Sequence, residues 1–192
     1  MAKPNVKQQL VTASLDLLHS KGFNATSVQD ITDAAGVPKG SFYNHFASKD
    51  ALGLEVLQRY VDVASQVSTL LQDGTLPARE RIRNYYTEMC RWNAAGAFER
   101  GCLLGNFSTE LSQQIPAIRV QLQQAYDGTR ALLEAAIADG QRTGDIGTAL
   151  PASELAAFIV DAWQGAVLRS KTEQNAVPLD RFIHIVLTRI LA

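Results

Sequence analysis

The side chains of this sequence best equipped for chemistry crowd into one short run. Between residues 26 and 49 stand Thr26, Ser27, Lys39, Ser41, Tyr43, Asn44, His45 and Lys49, with Gly40 among them. They supply hydroxyls, an amide, an imidazole and two ammonium groups, a set suited to hydrogen bonding with phosphates and base edges. They do not suit bond making and breaking. No nucleophile is spaced to pair with a base, and no glycine loop has a phosphate-cradling pattern. His19, His45 and His184 are too scattered for a metal set. The expected chemistry is recognition, with no catalytic residue, no cofactor and no metal.

Such a face needs short, rigid elements beneath it. Ser27 with Asp30 three positions on reads as a capping box opening a short helix, whose inward side is Val28, Ile31 and Ala35. Gly36 suits a tight turn, and Val37 plugs the gap behind it. Pro38 stands at the front of the next helix, where its missing N–H costs little. Phe42 and Phe46, four apart, anchor that helix to a small core. This is a helix, a turn and a second helix with its polar side left outward, the arrangement of a helix-turn-helix laid against DNA. Gly40 carries no side chain and lets the helix approach a groove, and Lys39 reaches a guanine edge or a phosphate. Lys49 stands at a helix start, where backbone N–H groups also favour a phosphate. Thr26, Ser27 and Ser48 serve as caps as well, which leaves phosphate contact open to them. His45 has the alternative of a packed or solvated role.

Composition sets the terms of binding. The chain has 192 residues, 46% of them hydrophobic and 19% charged, with a formal net charge of -1. It can bury a real core and should not be disordered. Residues 1–50 hold five Lys (Lys3, Lys7, Lys21, Lys39, Lys49) against four Asp (Asp16, Asp30, Asp33, Asp50), a balance of +1. Bulk attraction to phosphates is therefore modest, and placed contacts must carry the binding. No apolar run approaches a membrane span, and the N-terminal run lacks a signal-peptide core. With two cysteines, Cys90 and Cys102, and no sign of secretion, a cytoplasmic chain with reduced thiols is expected. A Cys90–Cys102 disulfide is left open.

The whole chain reads as all-α, about nine helices. The first runs from about Asn5 to Lys21 with Gly22 as its stop. The fourth is long, about Lys49 to Gln72, along a stripe of Leu57, Tyr60/Val61, Ala64, Val67 and Leu71. Later helices are predicted at about 78–95, 102–113, 116–139, 152–171 and 179–191. The expected division is a DNA-binding domain over residues 1–48 and a ligand-binding and dimerisation domain over 49–192. In the last two helices apolar residues lie nearly all round, including Phe158, Ala162, Val167, Phe182, Val186 and Ile190. A helix at the edge of a monomer keeps a polar face. Either both helices are central to the monomer core, or they form a twofold four-helix interface in a homodimer, the reading the pattern favours.

The run Gly22 to Leu54 resembles the N-terminal domain of TetR-family transcriptional regulators. The resemblance is carried by Gly22-Phe23, Thr26, Ile31, Ala34-Ala35-Gly36-Val37, Lys39-Gly40, Phe42-Tyr43, His45-Phe46 and Lys49. It implies that Tyr43 and His45 occupy phosphate-contacting positions. It also implies a homodimeric repressor that binds a palindromic operator in double-stranded DNA and is released by a small-molecule inducer. Half-sites about 34–36 Å apart give a few ångströms of spreading the power to break register, with the fourth helix as lever. The alternative is an all-α small-molecule-binding protein or enzyme with an incidental helix-turn-helix.

For the inducer, the large or polar residues of central helices are the candidates: Tyr85, Tyr86, Met89, Trp92, Asn106, Phe107, Tyr126 and Trp163. Mixed aromatics suit an apolar or aromatic ligand, although core packing accounts for any single one of them. The segment Arg100 to Ser108 is similar to one in the branch of the family that responds to reactive electrophiles such as N-ethylmaleimide, aldehydes or acrylate-like acids. There Cys102 stands at a predicted helix start. The helix N-terminus and Arg100 would favour its thiolate, with Lys171 as a second cation. Its alternative is a small buried cysteine between helices. Cys90, mid-helix, reads as inert.

Overall fold

The computed structural model describes residues 5–192; Lys3, counted in the local charge balance, lies outside them. Among these residues the regular structure is helical throughout, with nine α-helices and no strand. No helix among them is long and apolar enough to cross a membrane. Contacts divide the chain into two units. The first holds the residues up to Val63 with Leu103–Gln123, and the second holds Ala64–Cys102 with Gln124–Ala192.

The first unit is built on α1 (Val6–Lys21), α2 (Val28–Ala35) and α3 (Lys39–Tyr43). Asn5 opens α1 by accepting the Gln8 N–H, and Gly22 closes it. Ser27 and Asp30 form the capping box of α2, and Gly36 ends that helix in the left-handed region at φ 65°. A side chain with a Cβ is strained in that conformation, so the α2–α3 turn favours glycine. Leu10, Leu18, Ile31 and Phe42 are fully buried where the three helices meet. Burial of each is worth about 1.5–3 kcal/mol. They are joined by Leu52, Val56 and Leu57 from the first part of α4 (Lys49–Ser68). The remainder of this core comes from α6 (Leu103–Leu111), through Leu103, Phe107 and Leu111, and from the start of α7 (Pro116–Thr143), through Ile118 and Leu122. Contacts thus place all of α6 with the N-terminal helices, a grouping that chain order does not suggest.

The second unit takes the end of α4, α5 (Ala78–Ala95), the rest of α7, α8 (Ala152–Glu173) and α9 (Val177–Ile185). Its core runs from Val67 and Leu71 through Ile82, Tyr86, Leu133, Ile137, Ile159 and Trp163 to Leu179 and Leu187. Arg81 is 5% exposed. Its guanidinium donates to the Leu71 carbonyl at 3.2 Å and pairs with Asp139. This charge is retained in the interior by a carboxylate and a carbonyl together.

Several helix boundaries differ from expectation: α6 ends at Leu111, α7 continues through Gly140 to Thr143, and α8 extends to Glu173. The fourth helix is α-helical only to Ser68 and tightens to a 3-10 turn over Thr69–Gln72. The last helix begins at Val177, with Pro178 in its first turn, and loosens to a π turn over Val186–Ile190. Helix ends with unmet carbonyls commonly adjust in these two ways.

Candidate nucleic-acid interface and sensor cluster

The polar face expected on the second short helix is present. Phe42 is 0% exposed and fixes α3 to the core, while its neighbour Tyr43 is 59% exposed. The two rings meet edge to face at 5.2 Å, which holds the Tyr43 ring on the outer side. Lys39, Gly40, Asn44 and His45 are exposed beside it, and Ser41 is half-buried. A Cβ on Gly40 would meet nothing within 4 Å. No packing within the protein calls for glycine there, so the space it leaves faces outward. The face offers an ammonium, a phenol, an amide and an imidazole on one short surface.

The start of α2 is held by charge. Ser27 Oγ accepts the Asp30 N–H at 3.1 Å, and the Ser27 N–H donates to Asp30 Oδ2 at 2.7 Å. Lys21 Nζ lies 3.2 Å from the same oxygen. The Ser27 backbone N–H, then its hydroxyl, then Lys21 hold the Asp30 carboxyl down to about 2. Ser48 in turn caps α4, its hydroxyl accepting the Ala51 N–H at 3.1 Å.

Thr26 and Lys49 have a further task that their residue types did not reveal. Thr26 is 1% exposed, and its hydroxyl donates to the Gly22 carbonyl at 2.6 Å. Lys49 Nζ donates to the carbonyls of Phe23 at 3.0 Å and Thr26 at 2.9 Å. Both residues hold the turn that leads into α2, and a phosphate contact by either would compete with those bonds. Another such residue is Glu110 of α6, whose carboxylate accepts the Asn24 N–H at 2.9 Å. Nothing in the spacing of Glu110 marks it, because 86 residues separate the partners.

The expected sensor residues separate into two groups. Tyr86, Met89 and Trp163 are buried in the second unit's core, with Trp92, Cys102 and Tyr126 half-buried against it. Tyr86, Trp163 and Phe182 form an aromatic triangle with centroids 4.9–5.2 Å apart. Burial pushes the Tyr86 phenol well above its ordinary range and Tyr85 up to about 12, the Tyr85 shift reduced by a hydrogen bond with Ser68. Both phenols are neutral at ordinary pH. Asn106 and Phe107 lie instead in the first unit. Phe107 meets Phe23 edge to face at 5.9 Å, and Asn106 Nδ2 reaches the His19 carbonyl at 3.4 Å.

Cys102 directly precedes α6, and its sulfur accepts from Gln164 Nε2 at 3.7 Å. Lys171 Nζ reaches the Arg100 carbonyl at 3.4 Å, which brings an amine to the segment before Cys102. No disulfide joins Cys90 and Cys102. Burial first, and then the charge of Asp180, push the Cys90 thiol up to about 12.

The six residues expected on a dimer face also divide. Val167, Phe182 and Val186 are buried within the chain's own core, and Ala162 and Ile190 are half-buried against it. Phe158 is 54% exposed, and Leu168 and Ile185 are 67% and 44% exposed. Gly165 lies on the Phe158 side of α8, and a Cβ there would meet nothing within 4 Å. The apolar surplus of α8 is therefore real but narrower than the sequence pattern implied.

Comparison with known proteins bears on both halves. Residues 10–56 match the profile described as bacterial regulatory proteins, tetR family. Residues 78–186 match that of the tetracyclin repressor-like C-terminal domain. The HTH-type transcriptional repressor DhaR of Mycobacterium sp. (strain GP1) is 40% identical over 192 residues, covering 100% of this chain and 95% of DhaR. The crystal structure of regulatory protein TetR from Rhodobacter sphaeroides superposes with a TM-score of 0.89 at 29% identity, covering 94% of this chain and 96% of that one. The reduced form of Escherichia coli NemR gives 0.84 at 27% identity, with 97% of each chain covered.

Proposed function

The chain belongs to the TetR family of bacterial regulatory proteins, and from that premise we propose that it is a homodimeric, cytoplasmic repressor that binds a palindromic operator and lets go when an inducer binds or Cys102 is modified. The observation that carries this reading is the outward polar face of α3, set over the fully buried Phe42. Residues 1–48 supply the reading surface, and residues 49–192 supply inducer binding and dimerisation. Lys39 and Tyr43 make the leading contacts, with Ser27, Ser41, Asn44 and His45 around them.

One copy of a five-residue helix in a module of balanced charge binds weakly, so two copies on one duplex are needed. Phe158, Gly165 and Leu168 of α8 supply the surface for pairing. The aromatic triangle, with Trp92 and Tyr126 half-buried against the same core, suits an apolar or aromatic inducer. Cys102, with Gln164 at its sulfur and Lys171 at the Arg100 carbonyl, suits capture of an electrophile by its sulfur. The long α4 contributes to both units and serves as the connecting lever.

The test is fluorescence anisotropy with a duplex that the protein itself enriches from a random pool. Lys39→Ala and Tyr43→Ala should each weaken binding by about 1–3 kcal/mol. Failure to enrich any sequence refutes the regulatory reading. Release by N-ethylmaleimide that persists in Cys102→Ser refutes the thiol switch while leaving a non-covalent inducer.

A further inference from the structure

The turn between α1 and α2 is gripped from α6. Glu110 Oε2 accepts the Asn24 N–H at 2.9 Å. A Cβ on Gly22 would lie 2.9 Å from Glu110 Oε1, and Gly22 has φ 89°. The positive φ selects glycine here, and the side left open by its missing Cβ is where the carboxylate approaches the backbone. One helical turn earlier on the same face of α6, Asn106 Nδ2 reaches the His19 carbonyl at 3.4 Å. Between them Phe107 meets Phe23 edge to face. From α4, Lys49 binds the carbonyls of Phe23 and Thr26. The gripped segment runs straight into Ser27, the N-cap of α2.

We propose that Glu110 is a positioning residue for DNA reading: its carboxylate sets where the chain enters α2, so that movement of α6 along its axis reaches the helix-turn-helix through the Asn24 N–H. The inference rests on the regulatory reading above. A shift of α6 by about 1 Å takes the bond from 2.9 Å beyond hydrogen-bonding distance. The Phe107–Phe23 contact, which is not directional in the same way, would survive it. The bond therefore discriminates between two positions of α6 while the apolar contact keeps the parts together. Charge alone argues the opposite way, because a carboxylate in a DNA-binding module repels phosphates and its removal should strengthen binding.

The opposition in sign makes the test sharp. Glu110→Gln and Glu110→Ala both remove the charge, and only Gln keeps an oxygen that can accept the Asn24 N–H. With the duplex enriched by the wild type, Glu110→Gln should bind within about twofold of wild type and Glu110→Ala about fivefold more weakly. The dependence of affinity on salt should be the same in the two variants, since both remove the same charge. Exchange of the Asn24 amide hydrogen should be about tenfold faster in Glu110→Ala and near wild type in Glu110→Gln. A role confined to fold stability would move the melting temperature without this split. Should Glu110→Ala not fold, Glu110→Asp keeps the charge but withdraws the acceptor by one methylene, and must still weaken binding. Equal affinities for Gln and Ala, or wild-type affinity for Asp, overturn the proposal. Failure of the wild type to enrich any duplex would instead overturn the regulatory reading on which it rests.

Discussion

The Lys49 ammonium lies 4.3 Å from the centroid of the Phe23 ring while donating to the carbonyls of Phe23 and Thr26. One side chain at the start of α4 thus ties down the turn that leads into α2, by a cation–π contact and two charge-assisted hydrogen bonds. Lys49→Met should lower unfolding free energy by about 2 kcal/mol, read from urea denaturation. Were Lys49 a phosphate contact alone, stability would be unchanged and the salt slope of DNA binding would fall by about 1.

Asp30 adds a pH dependence to the same region. Its carboxyl is held to about 2 in the folded chain, against an ordinary value of 3.8. The unfolded chain therefore takes up the proton first as pH falls. The contribution to stability is complete above 3.8, shrinks below it and is gone near 2. The difference in urea midpoint between wild type and Asp30→Asn should be constant near neutrality and close over that acid window. A gap that does not change across it would show that the Ser27 bonds to Asp30 do not depend on its charge.

Phe158 tests the assembly. It is 54% exposed on a helix whose opposite side is fully committed to the core. Phe158→Arg should leave the fold and melting temperature near wild type and reduce the sedimenting mass to that of one chain. A dimer that persists in this variant would place the interface elsewhere. Phe182→Arg should instead unfold the second unit, because Phe182 lies within the aromatic triangle.

The two cysteines should separate in their chemistry. Burial pushes the Cys90 thiol up to about 12, so little of it is thiolate at pH 7. Brief treatment with N-ethylmaleimide at neutral pH should label Cys102 and leave Cys90 unmodified, as read by peptide mass spectrometry. Comparable labelling of both would mean that Cys90 is far less buried in solution than in this fold.

The sequence by itself determined the local grammar of the reading module. Ser27 with Asp30, Gly36, Pro38, and Phe42 with Phe46 act through bonds and dihedrals within a few residues, so their roles were legible without the fold. The outward placement of Lys39, Tyr43 and Asn44 was legible too, since a short helix with a buried Phe42 has only one free side. What only the tertiary structure decided are the contacts that join distant parts of the chain. Lys49 binds carbonyls 23 and 26 residues away, and Glu110 an N–H 86 residues away. It also decided which apolar residues of α8 and α9 the core consumes. Val167, Phe182 and Val186 look like Phe158 in an apolar pattern, and only the packing of α5, α7, α8 and α9 separates the buried from the exposed. Periodicity reports that a side is apolar, and burial depends on what the rest of the chain brings against it.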